Sequence, residues 1–282
     1  MKDLNNLSKP YFIGEIGINH NGDTQLTKKL IDAINACQWD CAKFQKRNPA
    51  VCVPDHQKSV MRDTPWGRMS YLDYKYKIEF GSEEYDLIDR YCQIKPVDWA
   101  ASVWDIDSLN FLMRYDIPFI KIASALITNN ELLEECVKTN KQIIMSTGMS
   151  TLEEVDNAFN ILSKSTKKPI VMHTNSSYPT PREELNLSLI PFYKERYNCT
   201  VGYSGHEPDL EPTVIAVSLG AQIIERHITL SHELWGTDQK SSLEVMGMDQ
   251  LRKRCIDVKD MFGSNDKKVT ESEVSIRKKL RG

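Results

Sequence analysis

The chain has 282 residues, with 36 Lys or Arg against 39 Asp or Glu and a formal net charge of −3. This near balance supplies no field for nucleic acid or an anionic membrane, so a small-molecule partner is expected, and the length suits one complete α/β barrel. The opening MKDLNNLSKPYFIGEIG has no basic segment followed by a long apolar run, and no later stretch reaches transmembrane length, which sets the expectation of a cytoplasmic protein.

Short runs rich in Ile, Val and Phe alternate with longer amphipathic stretches, the pattern of parallel strands joined by crossover helices. The first strand is expected over 11–17, and side-chain alternation puts Glu15, Gly17 and Asn19 on one face. A helix over TQLTKKLIDAINAC leads to the second strand, 41–46, where Lys43 pairs with Gln45. The stretch 47–81 is long for a βα connection and carries Trp66, Met69, Tyr71, Tyr74 and Tyr76. It reads equally as an insertion shaping a substrate mouth or as a packing excursion.

Strands three to six are expected over 98–104, 119–124, 142–147 and 169–174, with helices over NNELLEECVKTN and TLEEVDNAFNILSKS. Their ends contribute Lys121 and Ser124, Ser146, and His173 with Asn175. Strand seven, 200–204, sets Ser204 with His206. Strand eight, 221–229, sets Glu225 with His227 and turns Arg226 toward the helices. Helical patterns EPTVIAVSLGA and MGMDQLRKRCIDVKDMF follow these two strands.

Eight strand and helix repeats predict a (β/α)₈ TIM barrel over 1–263, followed by a polar, basic tail over 264–282 with no second domain. A Rossmann-like sheet is the alternative, but GINHNGD after the first strand has no G-x-G-x-x-G phosphate loop. The seven cysteines are scattered without a CxxC pair and read as reduced thiols.

In such a barrel the chemistry gathers at the C-terminal strand ends. His206 and His227 stand at the tips of neighbouring strands, about 4.8 Å apart, close enough for two imidazoles to hold one divalent metal. His56 and His232 lie in loops and read as surface residues. Lys43 and Lys121 either clamp a phosphate or carboxylate, with Ser124, Ser146 and Ser204 donating hydrogen bonds, or pair with Glu15 and Glu225. Two lysines and two glutamates pointing inward imply a bound anion, a metal, or both.

The ordered series GEIGINHNGD, AKFQ, IKIAS, MSTGMST, SSYPTP, GYSGH, IIERHITL and GTDQKSSLE resembles the sialic acid synthase family, from about Tyr11 onward and at all eight strands. The resemblance implies condensation of phosphoenolpyruvate with an N-acetylmannosamine-type sugar, with release of phosphate. It implies a divalent ion, manganese first and magnesium or cobalt as alternatives, held by His206 and His227, and a homodimer. It makes Lys43, Ser102, Lys121, Ser146 and Ser204 the phosphoenolpyruvate-holding groups, with Ser124 nearby and Ser176 at a position the family fills with Asn or Ser. Gln45, Tyr178, Glu225 and Asp238 match the sugar side, and Glu15 a carboxylate near the reacting centre. The acceptor is left open among N-acetylmannosamine, its phosphate and diacetamido-trideoxy hexoses. Other metal-dependent sugar aldolases or epimerases, and a non-catalytic sugar-binding barrel, are the competing classes.

The sequence also departs from the family. Ser102 replaces a Thr and keeps the hydroxyl, Gly205 stands where a GYSDH-like motif has a carboxylate, and GPDH reads GTDQ. Many members continue beyond EVSIRKKLRG into an antifreeze-like domain, which is not expected here. These differences are expected to bear on the sugar wall more than on the chemistry.

Overall fold

The computed structural model describes residues 2–282. Ten strands are present among the described residues: β1 (Tyr11–Gly17), β2 (Cys41–Lys46), β3 (Met61–Thr64), β4 (Gly67–Ser70), β5 (Asp98–Val103), β6 (Phe119–Ile122), β7 (Gln142–Ser146), β8 (Ile170–Thr174), β9 (Val201–Gly205) and β10 (Ile223–His227). Eight of them close a parallel barrel in the order β1-β10-β9-β8-β7-β6-β5-β2, as the sequence pattern predicts. The strand limits differ mainly at the C-terminal ends, where the chain turns early; Ser124 opens a 3₁₀ turn, Ser124–Leu126, instead of extending β6.

Helices cover the outside, and several of them carry both an apolar stripe and a local start signal. Asp23 accepts from the backbone N–H of Gln25 and Leu26 ahead of helix Thr24–Ala36, and Thr151 with Glu154 forms a capping box before Leu152–Leu162. Each such cap contributes about 1 kcal/mol. The outer core between helices and sheet gathers residues such as Phe12, Ile34, Phe44, Val103, Leu133 and Leu251.

Inside the barrel the side chains lie in storeys. The lower one is apolar, built from Ile13, Cys41, Ala100, Phe119, Ile144, Ile170, Met172 and Ile223, and Leu4 closes it from below. Each large aliphatic side chain buried there contributes roughly 1.5–3 kcal/mol. One step of alternation further along the strands, the interior becomes polar. The register sets Glu15 beside both Lys43 and His227, Ser102 beside Lys121, and Ser204 beside Glu225.

The stretch 47–81 holds two short helices, Pro49–Cys52 and Asp55–Lys58, then the antiparallel pair β3 and β4, then helix Tyr71–Ile78. The hairpin has no apolar alternation that would reveal it in sequence, since MRDT and GRMS are mostly exposed. Its Trp66 and the following Tyr74 meet Trp235, beyond β10, edge to face at 5.8 and 5.4 Å. This addition therefore bridges the mouth from β2 to the β10 loop.

Toward the C-terminus, helix Val245–Phe262 buries Met248, Leu251 and Cys255 against the barrel, whereas helix Glu271–Arg281 has no buried residue. All seven cysteines are free thiols, six of them buried and Cys52 partly so. No helix among the described residues is long and apolar enough to cross a membrane.

Candidate active site

Four charged side chains form the floor of the barrel mouth. The Lys43 ammonium lies 2.6 Å from Glu15 and 3.7 Å from Glu225, while Lys121 donates to both Glu225 oxygens at 2.8 and 3.0 Å. Both readings of the lysines therefore meet here, because each is already neutralised by a carboxylate at the centre of the expected anion site. Burial alone would push the Lys43 ammonium down, but Glu15 and then Glu225 outweigh it and hold it above its ordinary value. At Lys121 burial prevails, opposed by Glu225 and reinforced by Lys43. Burial would raise Glu225, yet Lys121 and Lys43 drive its carboxyl well below the usual range. Lys43 and Glu225 are thus held ionised by their partners.

Hydroxyls ring this floor. Lys43 donates to Ser102 at 2.9 Å, and Ser204 donates to Glu225 at 3.1 Å. The Ser146 hydroxyl is buried with no hydrogen-bond partner, an arrangement that costs about 1–3 kcal/mol and suits a ligand oxygen. Ser124 accepts from the Gly148 N–H at 3.0 Å, and a Cβ at Gly148 would collide with both the Ser124 and the Ser176 hydroxyl. Glycine there lets the β7 loop press against these two serines.

Above the floor the two histidines converge. Their ring centroids are 5.6 Å apart, and the Tyr178 hydroxyl lies 2.8 Å from His206 Nε2 and 3.5 Å from His227 Nε2. His206 Nδ1 meets the Asn175 carbonyl at 2.6 Å, which requires an N–H there and leaves Nε2 as the lone-pair nitrogen. Burial, then His227, lowers the His206 imidazole to about 3, so it is neutral at physiological pH. Two imidazole nitrogens aimed at one point, one of them fixed by a backbone carbonyl, fit a divalent ion. Among the described residues no group of three or more His, Cys, Asp or Glu surrounds such a point, so further ligands would come from water or substrate.

A cavity of about 240 Å³ joins floor and histidines. It is lined by Glu15, Lys43, Gln45, Ser102, Lys121, Ser124, Ser146, Ser176, Tyr178, Ser204, His206, Glu225 and His227, which are thirteen of the residues expected from sequence. Asp238 does not reach it. It is half-buried beyond β10, within electrostatic reach of Tyr178, Tyr74 and Lys75. Asn19 is also diverted, its amide donating to Ile228 O and Ser242 Oγ, because the β1 register shifts between Glu15 and Gly17.

Two expectations are corrected. His173 and Asn175 do not point inward. His173 faces the helices, lying against Tyr193 and Tyr203 with Nε2 on Leu185 O at 2.6 Å, while Thr174 lines the cavity. Nor does Gly205 belong to the sugar wall, since it points outward with Tyr203. A Cβ there would lie 2.7 Å from both Glu207 carboxylate oxygens. Glu207 fills that space and pairs with the fully buried Arg226 at 3.2 Å, so a carboxylate from two residues further along occupies the region.

Sequence reasoning also missed Trp104 and Arg47. Trp104 lines the cavity one residue past β5. The Arg47 guanidinium lies 4.4 Å over the Trp104 ring and donates to Gln45, whose amide in turn donates to Glu15 at 2.9 Å. The only signal for either was position at a strand end.

The sequence matches the NeuB family over residues 30–267. The chain belongs to the NeuB family. It is 37% identical to an N-acetylneuraminate-9-phosphate synthase of Drosophila melanogaster over 86% of this chain and 66% of that protein. It is 32% identical to an N,N'-diacetyllegionaminic acid synthase of Campylobacter jejuni over 95% of this chain and 81% of that protein. The crystal structure of an N-acetylneuraminic acid synthetase from Leptospira borgpetersenii, in complex with citrate, superposes with a TM-score of 0.86 at 29% identity, covering 97% of this chain and 93% of that one. This NeuB-family chain thus spans only about two thirds of the fly relative.

Proposed function

We propose that this chain is a nonulosonic acid synthase, condensing phosphoenolpyruvate with the open-chain aldehyde of an N-acetylmannosamine-type sugar and releasing phosphate. The observation that carries this reading is the stacking of two storeys in one cavity: the floor Glu15–Lys43–Glu225–Lys121, and above it the convergent His206 and His227.

Phosphoenolpyruvate is a compact polyanion, and fixed ammonium groups with hydroxyl donors are the natural cradle for it. Lys43 and Lys121 hold its charge, and Ser102, Ser146 and Ser204 donate to its oxygens. Glu15 and Glu225 keep both lysines from standing buried and unpaired when the site is empty, and they prevent the pair from binding any anion too tightly. Gln45, Tyr178, Ser124 and Ser176 face the acceptor. His206 and His227 would hold a divalent ion, manganese as the first choice, which would supply Lewis acidity to the acceptor.

In the reaction, the C2–C3 π pair of the enol forms the new carbon–carbon bond to the sugar C1, whose oxygen gains a proton. Water adds to the cationic C2 and loses a proton, and the tetrahedral carbon expels phosphate by C–O cleavage as its hydroxyl proton passes to the departing phosphate, leaving the 2-keto acid. Glu15, the carboxylate bonded to both Lys43 and Gln45, moves the proton of the attacking water. Glu225, pinned by Lys121 and Ser204, stays ionised and orients the acceptor.

The test is phosphate release from phosphoenolpyruvate with manganese, with and without amino-sugar aldehydes. Release is expected only with an acceptor, and metal stimulation is expected to vanish in His206→Ala and His227→Ala while the far-ultraviolet circular dichroism is unchanged. No turnover with any N-acetylated mannosamine or diacetamido hexose would contradict the reading.

A further inference from the structure

The Glu15 carboxylate is held at both oxygens. Lys43 lies 2.6 Å from Oε2, and the Gln45 amide donates to Oε1 at 2.9 Å. Gly17 ends β1 with a φ of +53°, and a Cβ there would stand 3.2 Å from both Gln45 Nε2 and Glu15 Oε1. Glycine therefore leaves the room in which this hydrogen bond forms. A lysine ammonium can only donate to a carboxylate, but a glutamine amide has two ends. Turned by half a rotation, Gln45 would set its carbonyl oxygen against Glu15 and repel it. Its orientation has to be fixed from the other side.

Arg47 stands on that side. It follows β2, is 8% exposed and lies outside the cavity lining. A guanidinium has donors only, so it can meet Gln45 only at the carbonyl oxygen, to which it donates. That contact commits the amide nitrogen of Gln45 to Glu15. The guanidinium is itself seated over the Trp104 ring at 4.4 Å, and the Trp104 backbone N–H donates to Lys46 O at 3.1 Å, which keeps the two residues side by side. A planar guanidinium can lie on an indole and still donate from its edge, whereas an ammonium is a point charge. A purely structural duty for Arg47 would be to neutralise Glu79. That carboxylate already has Lys46 at 2.7 Å and stands 4.0 Å from Arg47 Nε, so the closer contact of the guanidinium is the one that leads inward.

We infer that Arg47 is a positioning residue, which acts through Gln45 to aim the Glu15 carboxylate at the reacting centre. The inference rests on the synthase reading and adds to it a residue outside the substrate cavity. Without Arg47, Glu15 Oε1 loses its fixed partner and the carboxylate is free to turn about its contact with Lys43. The lysines and serines that hold phosphoenolpyruvate are untouched. The chemical step therefore suffers while phosphoenolpyruvate binding does not, and a misplacement of about 1 Å is enough to cost about 100-fold in rate.

The experiment compares kcat and the KM for phosphoenolpyruvate in the wild type, Arg47→Met, Arg47→Lys, Gln45→Met and the double variant of Arg47→Met with Gln45→Met. In Arg47→Met, kcat is expected to fall about 10- to 100-fold with KM within about twofold of wild type. Arg47→Lys keeps a cation beside Glu79, which protects folding, and should lose kcat to a similar degree. In the Gln45→Met background, adding Arg47→Met should change kcat by no more than about twofold, because the relay is already cut. Wild-type kcat in Arg47→Lys, a loss carried by KM instead of kcat, or an Arg47→Met loss just as large without Gln45 overturns the proposal and leaves the synthase reading intact. If the wild type turns over no acceptor, the synthase reading fails, and nuclear magnetic resonance of protein labelled with 15N-glutamine decides the relay alone. The Gln45 side-chain amide, identified by its absence from Gln45→Met, should be protected from solvent exchange in the wild type and lose that protection in Arg47→Lys. Equal protection in both, or none in the wild type, refutes the relay.

Discussion

Glu15, Lys43, Glu225 and Lys121 are each at most 5% exposed, and each has an oppositely charged partner within the group. Removing one member leaves another uncompensated. Lys121→Met, close in shape and uncharged, is therefore expected to lower unfolding stability by about 3 kcal/mol in urea titrations, as broken buried pairs do, and a loss under about 1 kcal/mol would contradict the geometry. The inward charges were legible because alternation fixes the face of a strand residue. Trp104 and Arg47 were not, since each follows the last residue of its strand, where alternation no longer fixes a face.

Among the elements, β8 shows where alternation misleads. Its run Ile170–Thr174 is buried on both faces, so no polar and apolar rhythm marks the inner one, and a histidine near the end draws the eye to the wrong parity. The other seven barrel strands carried a charged, hydroxyl or amide group whose neighbour two residues away agreed with it, or an unmistakable apolar partner. The end of β9 holds a second lesson, because the carboxylate absent at Gly205 is present at Glu207, packed against Arg226 and Tyr203. Glu207→Ala should cost about 3 kcal/mol by stranding the buried Arg226. Adding Gly205→Asp should not return that loss, because its Cβ would still stand 2.7 Å from the buried Tyr203 ring, and a double variant more stable than Glu207→Ala would show that position 205 can serve. The hairpin of β3 and β4 stayed invisible because its residues are exposed and polar, and its role arises only through Trp66 and Tyr74 meeting Trp235.

For the molecule as a whole, stability resides in the barrel. Residues 263–282 are exposed throughout, so a chain ending at Gly263 should melt within about 2 °C of the full chain by differential scanning calorimetry. A larger fall would mean that the last helix braces the barrel. The storeyed interior also bears on time. The apolar plug under Ile13 and Phe119 seals the lower end, so the reactants share one doorway, and the lysine floor lies deeper than the histidines. In the proposed reaction phosphoenolpyruvate would then enter before the sugar, and inorganic phosphate would wait at the bottom until the sugar-derived product has gone. Depth in the barrel thus becomes an order of events, with the acceptor as the stopper over a ligand already in place.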